Sequence, residues 1–196
     1  MTTHDEAAVI DDVWQFWFGT LDEAGQARPE VAKRWFTKDA AFDTEVRTRF
    51  AALHAAVAGG EHEAWRATMR GAVAYVIVLD QFPRNMFRDT PAMFATDAQA
   101  LAAAKDAVAR GLDREAPLAA RAFLYLPYMH SEALADQDAC VAFFTGNPAF
   151  ANNLDFAERH RAIIRRFGRF PHRNAVLGRP STPEEEAFLR EPGSSF

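Results

Sequence analysis

Two short stretches of the sequence carry the same chemistry in the same order. Leu79-Asp80-Gln81-Phe82-Pro83-Arg84-Asn85 and Arg169-Phe170-Pro171-His172-Arg173-Asn174 each join an aromatic ring and a proline to basic side chains and a closing asparagine. Guanidinium groups present forked donors that match carboxylates and phosphates, and amides can orient a polar ligand. Gln81, Arg84, Asn85, Arg88, Arg166, Arg169, Arg173 and Asn174 therefore form one candidate set for holding an anion. A second set suits proton transfer, with His130, His160 or His172 as general acid or base and Asp80 or Glu132 to orient the imidazole. A purely mechanical account competes with both: proline stops a helix, phenylalanine folds onto the core, arginine meets terminal carbonyls, and asparagine makes a turn.

Charge is concentrated around the second stretch. The 196 residues carry 22 Lys plus Arg against 27 Asp plus Glu, a net charge of −5. Between Arg159 and Arg179 lie seven arginines and no acid. The acidic average argues against general nucleic-acid binding, whereas the local basic run suits a solvated face, internal ion pairs or an anionic ligand. Cys140 is the single cysteine, so no intrachain disulfide or cysteine-based zinc site is available, and its neighbours Val141 and Phe144 mark it as packing. The longest apolar run, Ala72 to Leu79, falls short of the roughly 20 residues that span a bilayer. These features lead us to expect a cytoplasmic protein with no membrane association.

Several specific chemistries lack their motifs. His-Glu-x-x-His, a glycine-rich phosphate loop and a Gly-x-Ser-x-Gly elbow are all missing, and the potential metal ligands are widely dispersed. No metal and no cofactor are expected.

The elements that must position these residues read as helices, because apolar residues recur at three- and four-residue steps and period-two alternation is nearly absent. Phe42, Val46, Phe50, Leu53 and Val57 form one stripe of a helix from Asp39 to Ala58, stopped by Gly59-Gly60. The next helix begins near Glu61 and reaches Asp80, with Pro83 expected to end it; the β-branched run Val73 to Leu79 is read as helix rather than buried strand. Further helices are expected from Thr90-Pro91 to Arg110, Glu115 to Leu126, Ser131 to Phe144 and Asn153 to Phe167. Thr182-Pro183-Glu184-Glu185 has capping-box spacing and should open a terminal helix to Arg190. The reading is one all-α domain over residues 1–196, an irregular α-solenoid or bundle of about nine helices in antiparallel hairpins.

On a helical wheel Phe156, His160, Ile163, Ile164 and Phe167 fall within a sector of about 100°, which sets His160 in an apolar face. Arg159 and Arg166 lie on one margin of that stripe and are expected to turn inward, with Arg161 and Arg165 outward. Asp80, after eight apolar residues, is expected to be shielded and paired with Arg84, Arg166 or Arg169. Ser131 is expected to cap the next helix, and His130 and Glu132 share a site only if the backbone turns between them.

The two stretches, together with Phe94-Ala95-Thr96-Asp97, Leu126-Pro127-Tyr128-Met129-His130-Ser131-Glu132 and Leu177-Gly178-Arg179-Pro180-Ser181-Thr182-Pro183-Glu184-Glu185, resemble the bacterial domain-of-unknown-function family 924. The likeness runs from Phe16-Trp17-Phe18-Gly19 to Leu189. It implies a tetratricopeptide-like helical fold and brings no established activity. The functional expectation is a cleft, lined by Arg, His and Asn from both stretches and from His130-Ser131-Glu132, that binds an anionic small molecule or a peptide carboxylate. An enzyme in the same cleft, a hydrolase or a phosphoryl-processing catalyst, and a protein-interaction scaffold are the alternatives.

Overall fold

Helical periodicity is realised along the chain. The computed structural model describes residues 3–195, which form α-helices joined by 3-10 turns, with no β-strand among the described residues. In order these are α1 (Thr3–Phe18), α2 (Pro29–Trp35), α3 (Ala40–Ala58), α4 (Met69–Val76), α5 (Phe82–Met86), α6 (Asp97–Ala109), α7 (Leu112–Glu115), α8 (Leu118–His130), α9 (Leu134–Phe144), α10 (Ala151–Phe167) and α11 (Pro183–Phe188). Two compact units result. One comprises the chain up to Arg88 with Ala92–Pro127, the other Asp89–Pro91 with the chain from Tyr128 onward.

In the first unit α3 packs on α5, and α4 packs on α1 and α6. The core is aromatic: Phe82 is fully buried, with its ring 4.6 Å from Phe50 and 5.7 Å from Trp17. Full burial of one such ring stabilises the fold by about 2–3 kcal/mol. Asp39 caps α3 by accepting from the backbone of Ala41 at 2.8 Å and of Phe42 at 3.2 Å. At Gly71 the chain passes so close to Trp65 that an added Cβ would lie 2.0 Å from its carbonyl oxygen, so only glycine fits.

Pro83 does not end its helix, contrary to the sequence expectation. The chain instead widens into one π-turn, Ile77–Gln81, in which the Phe82 N–H reaches back five residues to the Ile77 carbonyl, and α5 continues directly through the proline. The cause is local. Proline has no N–H to give, and its ring crowds the carbonyl four residues back, that of Leu79. The wider turn releases this carbonyl, and the buried Thr96 hydroxyl donates to it at 2.6 Å. The Asp80 carbonyl is likewise taken by Arg84. The run from Val73 to Leu79 is helical throughout, as expected.

In the second unit α9 packs against α10, and Ile163, Ile164 and Phe170 form a buried cluster. Gly168 ends α10 in the left-handed region, at φ +69°, which an L side chain enters only with strain. Phe170-Pro171-His172-Arg173 then continues as a 3-10 turn. The capping box at α11 forms as its spacing indicated: Thr182 and Glu185 exchange side-chain and backbone hydrogen bonds at 2.8 and 3.2 Å.

Candidate functional site

The polar groups of the first stretch face acids. Asp80 is fully buried; Gln81 donates to its Oδ2, and Arg84 Nη1 stands 3.2 Å from its Oδ1. Arg84 also forks onto Asp97 at 2.9 and 3.1 Å. Arg88 forks onto Asp43 with two bonds of 2.8 Å, and Asn85 adds a third to the same carboxylate, also at 2.8 Å. Burial raises the Asp43 pKa, but the bonds from Arg88 and Asn85 outweigh it and hold the carboxyl below its usual range. Asp80 was expected to meet Arg84, Arg166 or Arg169, and Arg84 is a partner.

The second stretch is tied down by two buried or half-buried carboxylates. Glu185, the capping-box acid, receives Arg169 in a forked pair at 2.7 and 2.8 Å and Asn174 at 3.3 Å. The Arg169 hydrogen bonds lead its stabilisation as an anion, and its pKa falls to about 2. Glu132 receives a fork from Arg179 at 2.7 and 2.9 Å and the backbone N–H of Phe170 at 2.8 Å. Burial pushes Glu132 up, yet Arg179, the Phe170 N–H and the field of Arg173 together hold it below its ordinary value. Arg179 also reaches the Asn174 amide oxygen at 3.0 Å and the Phe170 carbonyl at 3.1 Å. The turn is thus fixed from both sides.

Phe170 is the hub of what remains. Its buried ring lies 5.6 Å from the His160 ring, 5.5 Å from the His172 ring and 4.6 Å from the Arg173 guanidinium carbon. His160 is 6% exposed, and its Nδ1 lies 2.8 Å from the Phe156 carbonyl oxygen. Burial drives its pKa down to about 3, the Phe156 carbonyl opposes, and the fields of His130, His172 and Arg173 depress it further. His172 falls to about 4 for the same first reason, helped by Arg173 and opposed by Glu132. Both imidazoles are therefore neutral near pH 7. His130 closes α8, and the chain bends before α9 starts at Leu134, so His130 and Glu132 both act on His172. The backbone turn that the sequence reading required is present. Ser131 accepts from the Ala133 N–H at 3.2 Å and donates to Asp136 at 2.7 Å, bracing that bend.

Asp80, Gln81, Arg84, Asn85 and Arg88 thus belong to the first unit, and His130, Glu132, His160, Arg166, Arg169, His172, Arg173 and Asn174 to the second. Arg159 and Arg166 do not turn inward: their side chains are 43% and 46% exposed, and Arg166 meets Glu184 at 3.0 Å. Charged groups on a stripe margin reach water by extending their long stems, which a wheel projection does not capture. Arg161 and Arg165 both reach Asp138. The acids Asp43, Asp97 and Glu185 and the cation Arg179 were not among the expected site residues. Arg179 stood in the basic run, and Glu185 had a signal only as a cap.

Elsewhere in the first unit, an open depression of about 380 Å³ lies between the loop at Asp22–Gly25 and the segment from Arg114 to Arg121. None of the expected site residues lines it. Among the described residues no group of three or more His, Cys, Asp and Glu could hold a metal ion, and no helix is long and apolar enough to cross a membrane.

A family model described as bacterial protein of unknown function (DUF924) matches residues 13–193. A solved structure titled as a protein of unknown function, ATU0120 from Agrobacterium tumefaciens, is similar at 40% identity and a TM-score of 0.84, covering 95% of this chain and 99% of that one. No curated protein matches.

Proposed function

The chain belongs to the bacterial family of unknown function DUF924, and from that premise we propose that it binds an anionic small molecule or a peptide carboxylate at the cluster of His130, His160, His172 and Arg173. The observation that supports this reading is the crowding of two imidazoles and a guanidinium around the single ring of Phe170. Arg173 stays charged at any accessible pH, and the neutral imidazoles add hydrogen bonds without adding charge. Glu132, Arg179 and Glu185 hold the turn from outside the cluster, so its donors are ordered before any ligand arrives. Arg84 and Arg88 already fork onto carboxylates, and an anion there would have to displace Asp97 or Asp43.

Acid–base catalysis is less well supported. A base whose pKa is about 3 or 4 has little proton affinity to offer near neutrality, where an effective general base titrates close to the working pH.

The test is a thermal unfolding series in phosphate, sulfate, acetate and a dicarboxylate against chloride at matched ionic strength. We expect a saturating rise in Tm with at least one of these anions. The rise should be mostly lost in Arg173→Lys, which keeps the charge but not the fork, and retained in Arg84→Lys. Absence of any rise beyond chloride overturns the reading.

A further inference from the structure

The first unit carries an exposed aromatic ring and, apart from it, an open depression of matching size and opposite charge. Phe36, which directly follows α2, is 71% exposed, well above the next large apolar side chain, Leu134 at 41%. Its ring is nevertheless held in place: it lies parallel to the buried Phe123 ring, within 4° at 6.4 Å, and Trp35 meets the two rings edge-on at 6.3 and 4.9 Å. No residue of α2 is buried. An aromatic already ordered at the surface loses little entropy when a partner covers it, and full cover removes about 150–250 Å² from water.

The depression of about 380 Å³ between the loop at Asp22–Gly25 and the segment from Arg114 to Arg121 has room for one such ring, and Phe36 does not line it. Leu21, Pro117 and Leu118 give it apolar walls. The loop is fixed: the Gly25 carbonyl accepts from the Ala119 N–H at 2.9 Å, and a Cβ at Gly25 would lie 2.8 Å from the Leu118 nitrogen. The Arg114 side chain has no partner among the described residues, and a guanidinium attracts the face of an aromatic ring. Asp22, Glu23 and Glu115 against Arg114 and Arg121 leave the lining with one net negative charge. Beside Phe36 the sign is reversed: Lys33, one turn earlier, is exposed and has no partner among the described residues, while Arg28 and Glu30 pair with each other at 3.4 Å. We propose that the protein self-associates, Phe36 of one copy seating in this depression of another with Lys33 beside its acidic rim. A second copy is the occupant because both halves of the contact stand on one chain, and a ring that matches a depression elsewhere on the same molecule joins copies to one another.

The test is the mass of the full chain in solution by sedimentation equilibrium, from micromolar to millimolar concentration. The mass should rise above that of one chain as concentration increases. Phe36→Ser should weaken the association at least about tenfold, as removal of a central aromatic anchor does. Ala24→Arg, placed on the exposed loop, fills the depression and sets a cation against Lys33, and it should weaken the association to a similar extent. Ala24→Arg leaves the aromatic stack untouched, so it decides the matter if Phe36→Ser does not fold. A single-chain mass at every concentration overturns the proposal, and is the result expected if Phe36 serves another class of partner. Association that Ala24→Arg or a folded Phe36→Ser leaves unchanged overturns it equally.

Discussion

The two Phe-Pro stretches share a vocabulary and differ in structure. At the first, a π-turn carries the helix through Pro83, and Arg84 meets Asp80 and Asp97, with Arg88 just beyond the stretch on Asp43. At the second, Gly168 breaks the helix, the proline opens a 3-10 turn, and the turn is pinned by Glu132 and Glu185, while Arg173, His160 and His172 pack around Phe170. The same residue types thus form a partly buried ion-pair network in one unit, and in the other divide between the Arg169–Glu185 pair and the packing of His172 and Arg173 on Phe170. At the first, Pro83 lies inside the helix and the chain widens to admit it; at the second, Gly168 ends the helix before the proline, which then opens the 3-10 turn. The acids that fold alongside then decide what the cations do.

The sharpest way to break this contrast is to remove the cation that faces a buried acid. Arg84→Ala should cost about 3–5 kcal/mol, because Asp80 is completely shielded beside it. Urea unfolding measures this, and a loss below about 1 kcal/mol would mean that the first stretch is not the structural member of the pair.

Acid should act through the second stretch. His160 and His172 have folded pKa values, about 3 and about 4, below their ordinary 6.5, so the unfolded chain binds more protons between those limits. Their contribution is complete above 6.5 and is lost as pH falls through that window, by about 2 kcal/mol per imidazole on reaching about pH 5. Glu185 adds a further loss from 4.5 down to about 2, and Asp43, also depressed, begins to act only below 3.8. In the first unit half-buried His54 is shifted the same way, by burial. Stability measured against pH should flatten in His160→Gln and less so in His54→Gln; an unchanged slope in the first variant would defeat this assignment.

The smallest expected effect lies in the backbone. Gly168→Ala forces a Cβ into the left-handed region and should cost about 1 kcal/mol by denaturant titration, with no packing clash to enlarge it, since nothing lies within 4 Å of the added carbon. A neutral result would show that the helix end at Gly168 does not depend on glycine.

Local signals in the sequence were sufficient for much of the fold. Asp39 and Thr182 sit at helix starts because a capping side chain answers to backbone N–H groups two or three residues away. The apolar stripe that places His160 among Ile163 and Ile164 is likewise local, and both the all-α class and family membership follow from such spacing and motifs. The ion pairs are another matter. Arg88 meets Asp43 across 45 residues and Arg179 meets Glu132 across 47, and no periodicity records which acid a folded chain brings to a given cation. The π-turn escaped the sequence reading because the partner that makes it tolerable, Thr96, lies 17 residues beyond the freed Leu79 carbonyl.

That wide turn also absorbs one extra residue, so a single deletion within Ile77–Gln81 that restored ordinary winding would keep later side chains near their present phase but press the Pro83 ring onto the carbonyl four residues before it. The helix would then have to kink or break at Pro83, between the Phe82 ring and Arg84. Length across this short segment is therefore held more tightly than composition: exchanging one apolar side chain for another is tolerable there, whereas a one-codon deletion is not.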